Sequence, residues 1–79
     1  MSPPRVVLVT RVGCHLCEGA RAVVADVCSR AGVEWAEQDV DLRPDLRARF
    51  TDLVPVVLVD GQEHARYHVD ARMLARALG

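Results

Sequence analysis

The chain contains no lysine: all ten of its basic residues are arginines, set against eleven acids and a formal net charge of −1. That balance gives no electrostatic footing for nucleic acid or a membrane surface, since both call for clustered positive charge. Aromatic residues are equally scarce, with one Trp, one Tyr and one Phe, so a core has to be assembled from Val, Leu and Ala. No apolar run approaches the ~20 residues needed to cross a bilayer. The opening Met1-Ser2-Pro3-Pro4-Arg5 lacks a signal-peptide pattern, because Val6 to Val9 is too short for an apolar h-region. A cytoplasmic, reducing compartment is therefore expected, where a stable structural disulfide is disfavoured. The length of 79 residues fits one domain, residues 1–79. A chain this short buries only about 60% of its unfolded surface.

Against these absences stand three cysteines, two of them three positions apart in Thr10-Arg11-Val12-Gly13-Cys14-His15-Leu16-Cys17-Glu18. The apolar run Val6-Val7-Leu8-Val9 precedes this stretch and an amphipathic segment, Leu16 to Ala31, follows it. The pattern predicts a strand, a tight turn at Arg11 to Gly13, and two thiols on the first turn of a helix. A helix N-terminus presents unpaired N–H groups and partial positive charge, so it favours an anion. The anion here would be a thiolate, the nucleophilic form of cysteine. Cys14, at the very start of the helix, is the expected attacking thiol. Cys17, one turn in and more buried, is the expected resolving thiol, and the two form a redox-active pair.

The rest of the chain supplies a scaffold. Apolar positions 16, 20, 23, 24, 27 and 31 form a helical stripe, closed by Gly32. Val33 to Val40 reads as a partly exposed strand. Its acids Glu37 and Asp39, with Asp41, read as a solvated strand end. Pro44 opens a second helix, with Leu46, Phe50 and Leu53 turned inward. Val54 to Val59 reads as a second central strand, buried on both faces like the first, and Asp60-Gly61 is a two-residue hairpin signal. The returning strand, Glu63 to Val69, alternates Ala65, Tyr67 and Val69 on one face with His64, Arg66 and His68 on the other. Asp70 is an N-cap for a last helix with Met73, Leu74, Ala77 and Leu78 inward. The lead-in Met1 to Arg5 is expected to be frayed, since its prolines donate no backbone hydrogen bond. The order is β-α-β-α-β-β-α: an α/β fold with one four-stranded mixed sheet and three helices. Its first two strands should be parallel neighbours joined by a right-handed crossover.

Other readings of the cysteines compete with redox chemistry. Cys14 and Cys17 could supply two ligands to zinc, or bridge an iron–sulfur cluster across a dimer. A structural zinc needs about four ligands, and His64-x-x-x-His68 has a suitable spacing, but it lies beside the hairpin with nothing to aim it at Cys14. A third possibility is an interaction domain whose cysteines are vestigial. Cys28, at the edge of the helical stripe, reads as a small buried hydrophobe, and Trp35 and Tyr67 as packing residues.

This element order, with Cys14-His15-Leu16-Cys17 after the first strand and Val54-Pro55 opening the third, resembles the thioredoxin fold in its glutaredoxin type. More narrowly, Thr10 to Cys17 and Val54-Pro55-Val56-Val57-Leu58-Val59-Asp60-Gly61 are similar to motifs of small glutaredoxin-like proteins. The resemblance runs from about Val6 to Leu78. It implies a thiol–disulfide oxidoreductase with Cys14 as nucleophile and Cys17 as resolving thiol. It further implies that Pro55 follows a cis peptide bond and faces the dithiol, with the Val54 backbone pairing with an extended substrate. Arg11 matches a position where many glutaredoxins place a Lys near the thiolate and a glutathione carboxylate. His15 is a second group that could support the thiolate. Asp70 is the counterpart of an acidic glutathione contact. No tightly bound cofactor is implied; glutathione, another low-molecular-weight thiol or a thioredoxin-reductase-type donor would supply electrons to a monomer acting on disulfide-containing proteins. Two departures stand out. His15-Leu16 replaces the Pro-Tyr that glutaredoxins often carry between the cysteines, and Arg66, Tyr67 and His68 stand near where they often have Gly-Gly.

Overall fold

The computed structural model describes residues 3–50 and 53–79. The elements are β1 (Val6–Thr10), α1 (His15–Ala31), β2 (Trp35–Asp39), a 3₁₀ turn (Val40–Leu42), α2 (Pro44–Phe50), β3 (Val56–Val59), β4 (Gln62–Arg66) and α3 (Ala71–Leu78). The sheet order is β2-β1-β3-β4. β1 runs parallel to β2, while β1–β3 and β3–β4 are antiparallel. This is the arrangement that the resemblance to the thioredoxin fold implied.

The two inner strands are continuous apolar runs because each face of the sheet is covered. On one side Val6, Leu8 and Val57 pack with Ala20, Val24, Val27 and Cys28 of α1 and Leu74 and Leu78 of α3. On the other, Val9, Val56 and Leu58 pack with Leu46 and Phe50 of α2, with Val40, and with Cys17 and Val54. Leu53 packs against this second cluster from beyond the end of α2; the neighbouring residues 51 and 52 lie outside the described residues. The hairpin after β3 has positive φ at both Asp60 (51°) and Gly61 (84°), as a type I′ turn requires. Gly32 ends α1 at φ 68°, and the Val33 N–H bonds the Cys28 carbonyl at 2.9 Å.

Several expectations are corrected. The buried stripe of α1 is Cys17, Ala20, Val24, Val27 and Cys28; Leu16 is 46% exposed and Ala31 is exposed. A thiol takes the core position expected of its apolar neighbour because a free cysteine packs as a small hydrophobe. In α3 only Leu74 and Leu78 are buried, and Met73 is 59% exposed, so the inward stripe is one residue wide. β4 is shorter than expected. Val57 pairs with Ala65 but Leu58 with Glu63, leaving His64 as an extra residue in a bulge. A bulge breaks the period-2 alternation, and Tyr67, at φ 68°, takes the chain out of the sheet. Arg5 is anchored rather than frayed: its guanidinium pairs with Asp60 at 3.1 Å and donates to the Leu78 carbonyl at 3.2 Å. Met1 and Ser2, expected to fray, lie outside the described residues.

Candidate active site

β1 delivers the chain to the C-terminal edge of the sheet, and the next residues must reverse it into a helix. Gly13, at φ 82°, supplies backbone geometry that side-chain-bearing residues resist, and the Cys14 N–H bonds the Arg11 carbonyl at 3.3 Å. Cys14 is then the N-cap of α1, with extended backbone. Its Sγ accepts the Cys17 N–H at 3.2 Å. A sulfur thus takes the place of the oxygen that usually satisfies an orphan N–H at a helix start, where negative charge is favoured.

The two thiols differ in environment. Cys14 is partly accessible and free. Cys17 is 1% exposed, and its thiol is pushed up to about 11, first by burial and then by its interaction with Cys14. A backbone hydrogen bond from Arg11 and the positive charge of Arg21 oppose that rise. Burial also pushes the Cys28 thiol up, and Cys28 sits wholly inside the first core.

The other expected site residues divide. Val54 and Cys17 share the second core cluster, and Cys14 packs against it. The Val54–Pro55 bond is cis and Pro55 is fully buried. The Tyr67 N–H donates to the Pro55 carbonyl at 2.7 Å, tying the segment after β4 to the proline. His15 and Leu16 line a cleft of about 270 Å³ with Gly19, Ala20 and Val23 of α1, facing Tyr67, His68 and Val69. Asp70 lies just outside it as the N-cap of α3, its Oδ1 accepting the Met73 N–H at 3.0 Å. The Arg11 guanidinium pairs at two points with Asp41, at 3.1 and 3.2 Å, bracing the dithiol loop against the 3₁₀ turn.

The acids read as a solvated strand end are engaged instead. The Asp39 carboxylate accepts the Asp41 N–H at 2.8 Å and Asp41 holds Arg11. Glu37 receives Arg21 at 2.7 and 2.8 Å and the Thr10 hydroxyl at 2.9 Å. The Arg21 hydrogen bond holds the Glu37 carboxyl below its usual range, against the effect of burial. This cluster went unread in the sequence. Its only linear signal is that Arg21 lies four positions after Cys17, on the same helix face. Among the described residues no group of three or more His, Cys, Asp or Glu is placed to hold a metal ion.

Residues 5–79 match the family model described as Glutaredoxin-like domain (DUF836). The chain belongs to this glutaredoxin-like family. A Mycobacterium tuberculosis protein and its Mycobacterium bovis counterpart, both described as uncharacterized, are 42% identical to it over 79 residues, covering 94% of this chain and 81% of theirs. Among solved structures, a Nitrosomonas europaea protein studied by solution NMR has a TM-score of 0.78 at 27% identity, covering 100% of this chain and 95% of its own. An X. campestris protein has a TM-score of 0.72 at 30% identity, covering 92% and 93%. Fasciola hepatica thioredoxin, at 24% identity and a TM-score of 0.63 over 92% of this chain and 75% of its own, shares the fold. A glutaredoxin-like fold with a Cys14–Cys17 pair is compatible with thiol–disulfide chemistry.

Proposed function

We propose that this glutaredoxin-like protein is a thiol–disulfide oxidoreductase with Cys14 as nucleophile and Cys17 as resolving thiol. The observation that carries the reading is the asymmetry within one helical turn: the partly accessible Cys14 sulfur accepts the backbone N–H of the buried Cys17. In the first step the Cys14 thiolate attacks a substrate disulfide, forming a mixed disulfide and releasing one substrate thiolate. In the second, Cys17 loses its proton and attacks Cys14 Sγ; the bond from Cys14 to substrate breaks, and the substrate leaves reduced. The protein is left with a Cys14–Cys17 disulfide. Glutathione, another small thiol or a thioredoxin-reductase-type protein then returns two electrons.

The substrate, a protein disulfide or a low-molecular-weight mixed disulfide, docks along the Val54 backbone beside Pro55. Arg11, His15 and Asp70 are the groups through which it would be oriented. Their arrangement favours a site unlike that of glutaredoxins with Pro-Tyr and Gly-Gly, since Arg11 is engaged with Asp41 and Asp70 with the start of α3. The deciding experiment is reduction of insulin and of a small mixed disulfide, each with a panel of donors: glutathione with its reductase, thioredoxin reductase, and other small thiols. Turnover that requires Cys14 supports the proposal. Absence of turnover with every donor, alongside stoichiometric metal in protein purified without oxygen, overturns it.

A further inference from the structure

We propose that Arg21 is a positioning residue for the resolving thiol: clamped by Glu37, its guanidinium supports the Cys17 thiolate as that sulfur attacks the mixed disulfide on Cys14. The inference rests on the dithiol exchange proposed above. Its basis is geometric. Cys17 and Arg21 stand four residues apart on α1, so their side chains share a face. Helical side chains lean towards the N-terminus, which carries the stem of Arg21 back over the turn that holds Cys17. Glu37 on β2 takes Arg21 Nε and a terminal nitrogen at 2.7 and 2.8 Å. Glu37 is itself fixed by the hydroxyl of Thr10 at the end of β1, at 2.9 Å. Three elements thus hold one cation on the helix face that Cys17 shares.

The surroundings of Cys17 leave this cation a distinct part. Val9, Val40 and Val54 pack in its cluster and are apolar. Among the described residues, Cys14 acts from its own turn, Arg11 acts through its backbone, and the side-chain charge of Arg21 favours the Cys17 anion. Glu37 and Glu18 act on Arg21 in turn, and the Arg11 guanidinium is paired with Asp41. Arginine stays charged throughout, so it is not the base. The Cys17 proton passes to water or to the departing substrate thiolate, the Cys17–Cys14 bond forms, and the bond from Cys14 to substrate breaks.

The test is the pH profile of Cys17 alkylation by iodoacetamide in a Cys14→Ser background, with Arg21→Gln, Arg21→Met and Arg21→Lys compared by mass spectrometry. Arg21 is 44% exposed at its side chain, and circular dichroism confirms that each variant is folded. Loss of the charge is expected to slow Cys17 alkylation below pH 9 about three- to tenfold, the size of one nearby charge partly offset by its carboxylate partner. Lysine is expected to restore the parent rate to within about twofold. An unmoved profile in both Gln and Met variants, or a Lys variant as slow as they are, overturns the assignment. This readout needs no turnover. A shifted profile in a protein that exchanges no disulfide therefore upholds the effect of Arg21 on Cys17 and overturns the dithiol function.

Discussion

Cys17 donates its backbone N–H to Cys14 Sγ at 3.2 Å, so the resolving residue is also the capping partner of the attacking one. Loss of each thiol should therefore look different. Cys14→Ser is expected to abolish exchange, whereas Cys17→Ser keeps the N–H and is expected to accumulate a Cys14 mixed disulfide. Mass spectrometry of each variant after exposure to substrate checks this; full activity in both overturns the mechanism.

The Cys17 thiol, pushed up to about 11, stays protonated through neutral pH. Alkylation of the reduced protein at pH 7 should therefore mark Cys14 first, with Cys17 following only as the pH approaches that value. Peptide mapping over a pH series reads both sites, and equal labelling at pH 7 would contradict the assignment of roles. The same shift bears on stability. An unfolded cysteine ionises near ~8.5, so above that pH the unfolded chain gives up the Cys17 proton while the folded chain keeps it. Stability should fall as pH rises from about 8.5 towards about 11, because there the native state binds more protons. Cys28, raised by burial, adds to the fall. Urea unfolding between pH 8 and 10 measures it; a stability that rises across this range is the contrary result.

The fold was legible where a residue's local chemistry and its packing agree. Val6 to Val9 and Val56 to Val59 are apolar on both faces because helices cover both sides. Asp60-Gly61 marks its hairpin because both residues tolerate positive φ. Asp70 caps α3 as its side chain suggests. Legibility failed where a long-range partner decides. His64 carries no mark of a bulge, and Tyr67 none of a left-handed backbone; both follow from how β4 meets β3 and Pro55. The acids of β2 alternate as solvated ones do, and only the approach of α1 makes Glu37 a clamp for Arg21. Around the dithiol, linear order placed Cys14 at the start of the helix but carried no sign that its sulfur would cap it or that Arg11 would be engaged with Asp41.

The narrow stripe of α3 gives a stability test. Leu74 is wholly buried and Met73 is 59% exposed. Leu74→Ala should cost about 2–5 kcal/mol, the range for a buried leucine. Met73→Ala should stay within about 0.5 kcal/mol, as exposed substitutions do. Chemical denaturation of the two variants side by side checks this, and comparable losses would mean that α3 packs through both residues.

Tyr67 joins backbone strain to the cleft beside the dithiol. A side-chain-bearing residue at φ 68° carries a backbone cost of about 1–2 kcal/mol that glycine avoids. Tyr67→Gly relieves that cost, but the variant loses the side-chain contacts of a residue that is 39% exposed and gains chain entropy when unfolded. These effects oppose one another, so stability is expected to change by less than about 1 kcal/mol. The cleft changes more, because the Tyr67 part of the wall facing His15 and Leu16 is removed. Within the proposed function, Tyr67→Gly should raise kcat/KM for a glutathione mixed disulfide, through KM, relative to that for a protein disulfide. Steady-state kinetics on both substrates read the ratio. A ratio unchanged at preserved stability would show that Tyr67 does not govern which disulfide reaches Cys14.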